Sequence, residues 1–354
     1  MTTNNIQKTS RKVLFVALST MLIQLNPAKS QSTGQDTIYP VQISIVPGLG
    51  TLGEQSEQAV SRFSFNLIGG NTGGVSGLEL ASIFNINHFD VRNVQLAGVF
   101  NTGANDFSGV QAAGVFNRVS HAVTGAQFAG VGNCARHVKG GQFAGVINRA
   151  EEVQGAQFAG AVNIARGRSG TQVAGVINIA GNVRGVQLAG LLNVADSSDY
   201  PIGLINLIKN GYRSVAMEVD ETGTTSVVFR SGGRVLYGLL GVGYRFDSDP
   251  YDYALEGGVG ARILDNDRFT LAIEAVQRTT TDFDDYIHMA SLRILPGYRF
   301  GKLEVFAGPT ANVIYADDDG GSIQANGWVW HRFNGDSDVR SLHGGITGGI
   351  RYAW

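Results

Sequence analysis

The segment Gly155-Ala-Gln-Phe-Ala-Gly-Ala-Val-Asn-Ile-Ala165 is one copy of a motif that recurs along the middle of this chain. The next two copies are Gly170-Thr-Gln-Val-Ala-Gly-Val-Ile-Asn-Ile-Ala180 and Gly185-Val-Gln-Leu-Ala-Gly-Leu-Leu-Asn-Val-Ala195. The copies begin at Gly77, where Glu79 stands in the place of the glutamine. Self-similarity at a fixed period marks a repeat architecture, so it decides the fold before any local motif does.

Two series of amide residues set the period of the repeat. Both series advance by 16, 16, 15, 15, 15 and 15 residues. The glutamines are Gln95, Gln111, Gln127, Gln142, Gln157, Gln172 and Gln187, and the asparagines are Asn101, Asn117, Asn133, Asn148, Asn163, Asn178 and Asn193. We interpret them as structural positions that bond across strands or to water. The functional alternative is that they line a channel or bind an extended polar ligand such as a glycan.

Residues within a copy alternate between two faces, which is typical of a β-strand. One face mixes amides with small residues, such as Gln157 and Ala159, and hardly changes between copies. The other face is apolar and loosely specified, as at Phe158 and Val162.

Antiparallel pairing satisfies this alternation. The two-residue link Glu151-Glu152 has the commonest length of a hairpin connection. Folding the chain back there pairs Asn148 with Gly155 and Phe143 with Gly160, so that a ring lies beside a bare glycine. The sequence therefore predicts an all-β fold, an antiparallel meander that forms an outer-membrane β-barrel.

The alternative fold is a 15-residue-repeat β-solenoid followed by a smaller C-terminal β-barrel of about eight strands. In its favour, successive links look alike, whereas a membrane barrel alternates short turns with long loops and should show a double-length repeat. Against it, a solenoid leaves the Phe/Ile face in water unless something covers that face.

Composition and the N-terminus indicate an exported protein. The chain has 354 residues, a formal net charge of −2 and no basic run, which argues against a nucleic-acid partner. Residues 1–30 have the features of a secretory signal peptide, with an apolar run, Val13–Leu25, that is too short to span a bilayer. The basic residues before that run are Lys8, Arg11 and Lys12.

We predict four segments along the chain. They are a signal peptide at 1–30, lead-in strands at 31–76, the β repeats at 77–207 and C-terminal β-barrel strands at 208–354. No apolar segment of helix length follows residue 30. Because only helices and closed β-barrels pair every main-chain group in hydrocarbon, any membrane span must be a barrel.

Two features carry a resemblance to known families. The terminal residues Ile350, Tyr352 and Trp354 resemble the C-terminal signal that outer-membrane barrels present to their assembly machinery. The Gly-x-Gln-x-Ala-Gly-x-x-Asn copies, with Phe65-Asn-Leu-Ile-Gly-Gly70 and Pro201-Ile-Gly-Leu-Ile-Asn206 beside them, resemble surface-repeat proteins of Bacteroidota and of Leptospira. The resemblance implies outer-membrane lipid and the barrel-assembly machinery as partners, and it implies no activity.

Motifs for catalysis and metal binding are weak. The six histidines show no metal-ligand spacing with one another or with cysteine, and His121 and His137 fall in equivalent links. Ser341 and His343 lie two residues apart, and a serine nucleophile needs a base within hydrogen-bond reach. Cys134 is the sole cysteine and cannot form an internal disulfide. We expect no catalytic residues, no cofactor and no metal.

Charged residues in the C-terminal part have two interpretations. The acidic clusters Asp247–Asp252, Asp282–Asp285 and Asp317–Asp319 read as solvated loops, since none matches a Ca²⁺-loop spacing. A second set could face a barrel interior and pair there, because unpaired buried charge is costly, or could line a pore. This set is Glu256, Arg262, Glu274, Arg278 and Arg293.

The sequence thus predicts an outer-membrane β-barrel protein with a structural, pore or surface-interaction role and no catalysis. The alternative function is a secreted or surface-exposed β-solenoid that binds carbohydrate or a partner protein. A third class is a membrane acyl hydrolase built on Ser341 and His343.

Overall fold

The computed structural model describes residues 38–246, 253–283, 286–315, 328–332 and 339–354. These residues form two β-sheets, and one short 3₁₀ helix, Gly53–Gln58, lies beside the first sheet. No helix in the described part of the chain has the length and apolar character needed to cross a membrane. The predicted signal peptide at 1–30 lies outside the described residues.

The first sheet is a β-solenoid of about ten turns. Most turns contain a longer strand with the glutamine and a shorter strand with the asparagine. Strands of its first half are β1 Ile38–Val46, β2 Leu49–Gly50, β3 Val60–Asn66, β4 Gly69–Thr72, β5 Gly74–Ala81, β6 Phe84–Asn87, β7 Val91–Ala97, β8 Phe100–Gly103, β9 Phe107–Ala113 and β10 Phe116–Val119. Strands of its second half are β11 Ala122–Ala129, β12 Gly132–Cys134, β13 His137–Ala144, β14 Ile147–Ala150, β15 Glu152–Ala159, β16 Val162–Ser169, β17 Thr171–Ala174, β18 Ile177–Ala189, β19 Leu192–Ala195, β20 Ser197–Ile202 and β21 Ile205–Ile208.

Neighbouring repeats pair in parallel, so the predicted antiparallel meander is wrong and the solenoid alternative is confirmed. Gln142 on β13 aligns with Gln157 on β15, and Asn148 on β14 aligns with Asn163 on β16. Each residue therefore lies beside its counterpart in the next copy. The predicted lead-in strands belong to the same sheet, since β1 pairs in parallel with β3 and β3 with β5.

Most coils turn at a glycine because the preceding coil lies directly against its α-carbon. A Cβ atom on Gly145 would collide with the main-chain oxygen of Gly130. A second glycine column turns the longer strand, as at Gly140, where φ is +130° and a Cβ would meet the oxygen of Gly125. The period-two reading placed these glycines inside strands, whereas they are corners that wrap each copy into a coil.

The second sheet is a closed barrel of eight antiparallel strands. Its members are β22 Tyr212–Val219, β23 Thr224–Gly232, β24 Leu236–Arg245, β25 Tyr253–Asp265, β26 Phe269–Thr281, β27 Tyr286–Phe300, β28 Leu303–Tyr315 and β30 Val339–Ala353. Closure comes from pairing of β30 with β22, and a short strand, β29 Trp328–Arg332, adds to β30. This barrel is the smaller C-terminal barrel of the alternative prediction.

The two ends of the barrel differ. At the end that we call the base, strands are joined by residues 233–235, 266–268 and 301–302. At the end that we call the rim, the connections are 220–223, 246–252, 282–285 and 316–338. The solenoid enters β22 at the base, and the C-terminal strand also ends there.

Candidate functional site

Asparagine side chains form a continuous hydrogen-bonded ladder inside the solenoid. The Nδ2 of Asn101 donates to Oδ1 of Asn117 at 2.9 Å, and Asn117 donates to Asn133 at the same distance. The second N–H of Asn117 donates to the main-chain oxygen of Phe128 at 2.7 Å. The ladder runs through Asn66, Asn85, Asn101, Asn117, Asn133, Asn148, Asn163, Asn178, Asn193 and Asn206. Every bond in it points from one coil to the next coil toward the C-terminus.

The glutamines form a second ladder whose bonds point the other way. Gln111 donates from Nε2 to Oε1 of Gln95 at 2.6 Å, and the same pattern continues to Gln187. The ladder ends there because the next coil carries Pro201 in register, and the buried Oε1 of Gln187 accepts no hydrogen bond.

Both ladders are buried, and their amide groups are occupied by one another. Gln157 and Asn163, for example, have no exposed surface. Side chains in this state pack the interior of the solenoid, as the structural interpretation predicted. They cannot reach a solute or a glycan, so the channel-lining and ligand-binding interpretations do not fit the amide columns.

Glu79 ends the glutamine ladder on its N-terminal side. Its carboxylate accepts from Gln95 at 2.8 Å, from Asn87 at 3.0 Å and from Asn66 at 3.3 Å. Burial raises the pKa of Glu79 from 4.5 to about 7, and the hydrogen bonds from the amides offset part of that rise. Both carboxylate oxygens of Glu79 accept hydrogen bonds from amide groups, whereas a glutamine would present an NH₂ group to one of these donors.

The outer face of the solenoid carries an apolar ridge along the corner between the two strands of each coil. The ridge includes stacked rings, with centroids 4.9 Å apart for Phe128 and Phe143 and 5.2 Å apart for Phe143 and Phe158. These rings line a shallow groove of about 440 Å³ whose other walls are alanine, glycine and valine. Phe128 remains 42% exposed. As the sequence indicated, a solenoid exposes its Phe/Ile face, and the described residues leave that face uncovered.

The lumen of the barrel is filled by a network of ion pairs. Arg230 bonds Glu218 at 2.8 Å and Glu274 at 2.7 Å, and Arg293 bonds Glu218 at 2.7 Å and Glu256 at 2.8 Å. Charges alternate in sign through Asp220, Arg278, Glu256, Arg293, Glu218, Arg230 and Glu274. These side chains are at most 4% exposed, and their mutual pairing offsets the cost of removing them from water.

Four of the five charged residues predicted to face the interior lie in this network. The exception, Arg262, lies at the base, where it stacks over the ring of Tyr212 at 4.2 Å and bonds Asp265 at 2.8 Å. The network also holds residues that the sequence reasoning missed, namely Glu218, Asp220, Arg230, Glu304 and Arg351. Their alternation with outward apolar residues, such as Glu218 between Met217 and Val219, was the available indication.

The outer wall of the barrel is apolar over its middle. Outward residues include Met217, Val242 and Leu255, and Val242 is 61% exposed. The predicted terminal residues Ile350, Tyr352 and Trp354 also point outward on or just after β30. The barrel therefore carries apolar side chains on its outer face and paired charges in its lumen.

Aromatic side chains gather at both ends of this wall. Near the base they are Phe269, Tyr298, Phe300, Tyr352 and Trp354. Near the rim they are Tyr244, Phe246, Tyr253, Phe283, Tyr286, Trp328 and Trp330. Two aromatic girdles around an apolar band are typical of barrels that span an outer membrane.

The last coil of the solenoid packs against the outside of the barrel near its base. A Cβ on Gly238 would collide with the main-chain oxygen of Gly203, and a Cβ on Gly257 would lie 3.3 Å from Cδ2 of Leu204. Beside this contact lies a cleft of about 550 Å³ between solenoid and barrel. Its basic side chains include Arg262 and Arg299, and both bond Asp265.

The candidate catalytic pair does not form a hydrogen bond. His343 is buried in the lumen with its Nε2 3.7 Å from Glu221, and neither ring nitrogen has a hydrogen-bond partner, so Ser341 is not bonded to it. Among the described residues, no group of three His, Cys, Asp or Glu side chains could hold a metal ion. The acidic residues Asp247–Asp252, Asp284, Asp285 and Asp317–Asp319 lie outside the described residues.

Cys134 is a half-buried free thiol whose pKa is raised by burial.

Comparison of the chain with protein-family models, with curated proteins and with solved structures finds no match.

Proposed function

We propose that this chain is an exported outer-membrane β-barrel protein in which the barrel anchors the solenoid as a structural scaffold. The observation that carries this proposal is the reversed polarity of the barrel, with paired charges in the lumen and an apolar band outside. In water such a wall would leave its apolar residues exposed, whereas in a bilayer they would contact acyl chains. A closed sheet is suited to a bilayer because it pairs its main-chain groups within itself. Aromatic residues at both ends of the band support the same environment.

A scaffold is favoured over a pore because the lumen is occupied. The arginine and glutamate side chains that pair across the lumen leave little exposed surface inside, as Arg230 and Glu274 show. We expect reconstituted protein to give no stepwise conductance in planar bilayers. Steady channel openings would favour the pore role.

The position of the solenoid supports a periplasmic scaffold. Short connections lie at the base, and outer-membrane barrels place short turns on the periplasmic side. The solenoid leaves the barrel at that same end. The terminal Trp354 also lies there, consistent with our proposal that Ile350, Tyr352 and Trp354 are read by the assembly machinery during export.

Membrane insertion can be tested with a charge on the wall. We expect the folded protein to sediment with membranes, to resist alkaline extraction and to migrate faster in unheated than in heated gel samples. The variant Leu292→Arg should lose stability in lipid by about 2–4 kcal/mol, because position 292 points outward midway along β27 and an arginine there would face the middle of the bilayer. Leu292→Ile is the matched control. Recovery of wild-type protein in the soluble fraction would refute the proposal.

Sidedness can be tested by proteolysis. In intact cells the solenoid should resist added protease, and after the outer membrane is permeabilised it should be cleaved in its exposed links. Cleavage in intact cells would instead place the solenoid on the cell surface and favour a role in adhesion to a glycan or a protein.

A further inference from the structure

The apolar ridge consists of three parallel rows of nine residues, and no row contains a polar side chain. The first row, next to the glutamines, is Leu80, Leu96, Ala112, Phe128, Phe143, Phe158, Val173, Leu188 and Ile202. The second, after the corner glycines, is Ile83, Val99, Val115, Val131, Val146, Ala161, Val176, Leu191 and Leu204. The third, before the asparagines, is Phe84, Phe100, Phe116, Gly132, Ile147, Val162, Ile177, Leu192 and Ile205.

The ridge is unusually large for a surface that faces water. Strands in a sheet are about 4.8 Å apart, so nine coils give a ridge roughly 40 Å long. Most residues of the second row are more than a third exposed, for example Val146 at 46%. Contiguous apolar surfaces of this extent mark a contact with a protein, a ligand or a membrane.

Polar residues border the three rows, with Arg118 and Arg149 next to the third row on its short strands and Ser82 at one corner between the first two rows. Arg136 and Glu151 form an ion pair at 3.0 Å across neighbouring coils, and Arg168 lies 3.6 Å from Glu152. Exposed outer positions on the side before the glutamines are Arg92, Ser108, Thr124, Lys139 and Gln154. The solenoid is therefore amphipathic along its whole length.

The ridge runs directly onto the outer wall of the barrel. Leu204, the last residue of the second row, contacts the position of Gly257 on β25. The outward neighbours of Gly257 on the same strand are Leu255 and Val259, both exposed. The apolar surface of the solenoid therefore adjoins the apolar band of the barrel at the last coil.

A lipid surface fits the ridge better than a protein partner does. Protein interfaces carry about one hydrogen bond per 100–200 Å². The three rows offer no polar side chain, and their main-chain groups are already paired between coils, as in the bond from Val146 to Val131 at 3.0 Å. Hydrocarbon accepts such a surface because it requires no hydrogen-bonding groups.

We infer that the ridge is a lipid-contact surface, which lies against the acyl chains of the leaflet at the base of the barrel, so that the solenoid rests along the membrane. This inference rests on the proposed membrane insertion of the barrel. It adds that the solenoid is a second, non-spanning lipid anchor, with its charged sides turned toward water.

Site-specific fluorescence quenching can test this contact with the full chain. The variant Cys134→Ala removes the sole thiol, and single cysteines are then placed at Val99 and Val146 on the ridge, at Lys139 on a polar side and at Val242 on the barrel wall. Each cysteine is labelled with an environment-sensitive fluorophore. The protein is refolded into phosphatidylcholine–phosphatidylglycerol vesicles that contain lipids with a nitroxide on the acyl chain. Faster migration in unheated gels confirms that each variant has folded.

We expect the labels at Val99, Val146 and Val242 to be quenched several-fold more strongly than the label at Lys139. If Val242 is quenched while Val99 and Val146 behave like Lys139, the ridge does not contact lipid, although the barrel is inserted. Cross-linking between ridge cysteines of two chains, without quenching, would instead assign the ridge to a second copy and overturn the inference. If Val242 itself is not quenched, the proposed membrane barrel fails.

Discussion

Asn206 in the last coil of the solenoid donates from Nδ2 to the main-chain oxygen of Ser231 on the barrel at 3.0 Å. Its main-chain N–H also donates to Oγ of Ser231 at 2.9 Å. Asn206 accepts from Asn193 at 2.8 Å, so the asparagine ladder ends on the barrel wall. Repeat proteins need a cap on their terminal repeats, and here the barrel supplies it at the C-terminal end.

Replacing one rung of the asparagine ladder should destabilise the solenoid. In Asn148→Leu, Oδ1 of Asn163 loses its donor from Asn148, and the main-chain oxygen of Phe158 loses a bond of 2.7 Å. Because buried groups left unpaired are costly, we expect a loss of about 2–4 kcal/mol in urea unfolding followed by far-ultraviolet circular dichroism. The control Arg149→Leu changes the outward neighbour and should stay within about 0.5 kcal/mol. Equal stability of the two variants would show that the ladder contributes little.

A methyl group at a corner glycine should be poorly tolerated. Gly145→Ala places Cβ against the main-chain oxygen of Gly130, which belongs to the preceding coil and cannot move without disturbing that coil. Gly103→Ala is the matched control, since its Cβ would meet nothing closer than Val119 at 3.9 Å. We expect the Gly145 variant to lose at least about 2 kcal/mol in the same urea experiment and the Gly103 variant to be nearly unchanged. Similar unfolding midpoints would contradict the packing of the corners.

The stability of the solenoid should depend on pH through Glu79. Its folded-state pKa of about 7 lies above its ordinary value of 4.5, so protonation favours the folded state. The contribution is fully present below about pH 4.5 and is lost as the pH rises through 7. It amounts to about 3 kcal/mol, since one pKa unit corresponds to 1.36 kcal/mol. Urea unfolding of Glu79→Gln should lack this pH dependence, whereas that of Glu54→Gln, on the surface, should retain it.

Removing Arg230 should weaken the barrel. The side chain bonds Glu218 and Glu274 with no exposure to solvent, so Arg230→Ala removes one ion-pair partner from each of two buried carboxylates. We expect a loss of about 3–5 kcal/mol, seen as a lower temperature at which the fast-migrating folded band disappears from gels. Arg234→Ala removes an exposed arginine from a connection at the base and should leave that temperature unchanged. The proposed role of the lumen network would be wrong if both variants melted together.

The sequence was sufficient to predict the strands and the faces on which their residues lie. Alternation in each copy identified Gln157 and Asn163 as one face and Phe158 as the other, and the structure places them so. The same alternation in the C-terminal part indicated a barrel, and inward positions such as Glu256 and Arg278 were identified from it. A period of two residues shows on which face of the sheet a side chain lies, and this period is the same in parallel and antiparallel sheets.

Strand direction could not be predicted from alternation because both pairings bring like faces together. The deciding contact is between copies, where the oxygen of Gly130 fills the place of a side chain on Gly145. The sequence shows that glycine, and it does not show which chain segment lies against it. The prediction also assumed that the apolar face of the repeats is buried, whereas Phe128 on the ridge is exposed.

The hydrogen bonds of the two amide ladders run in opposite directions, and this affects how repeats can be added to or removed from the solenoid. Each row of amides adds its dipoles head to tail, and the asparagine row runs toward the barrel while the glutamine row runs away from it. The two sums largely cancel, so a longer stack builds up no axial field that would penalise the next turn. Gene duplication or deletion of a single 15-residue unit would therefore leave the electrostatics of the array almost unchanged, and variants with different numbers of turns should fold on the same barrel.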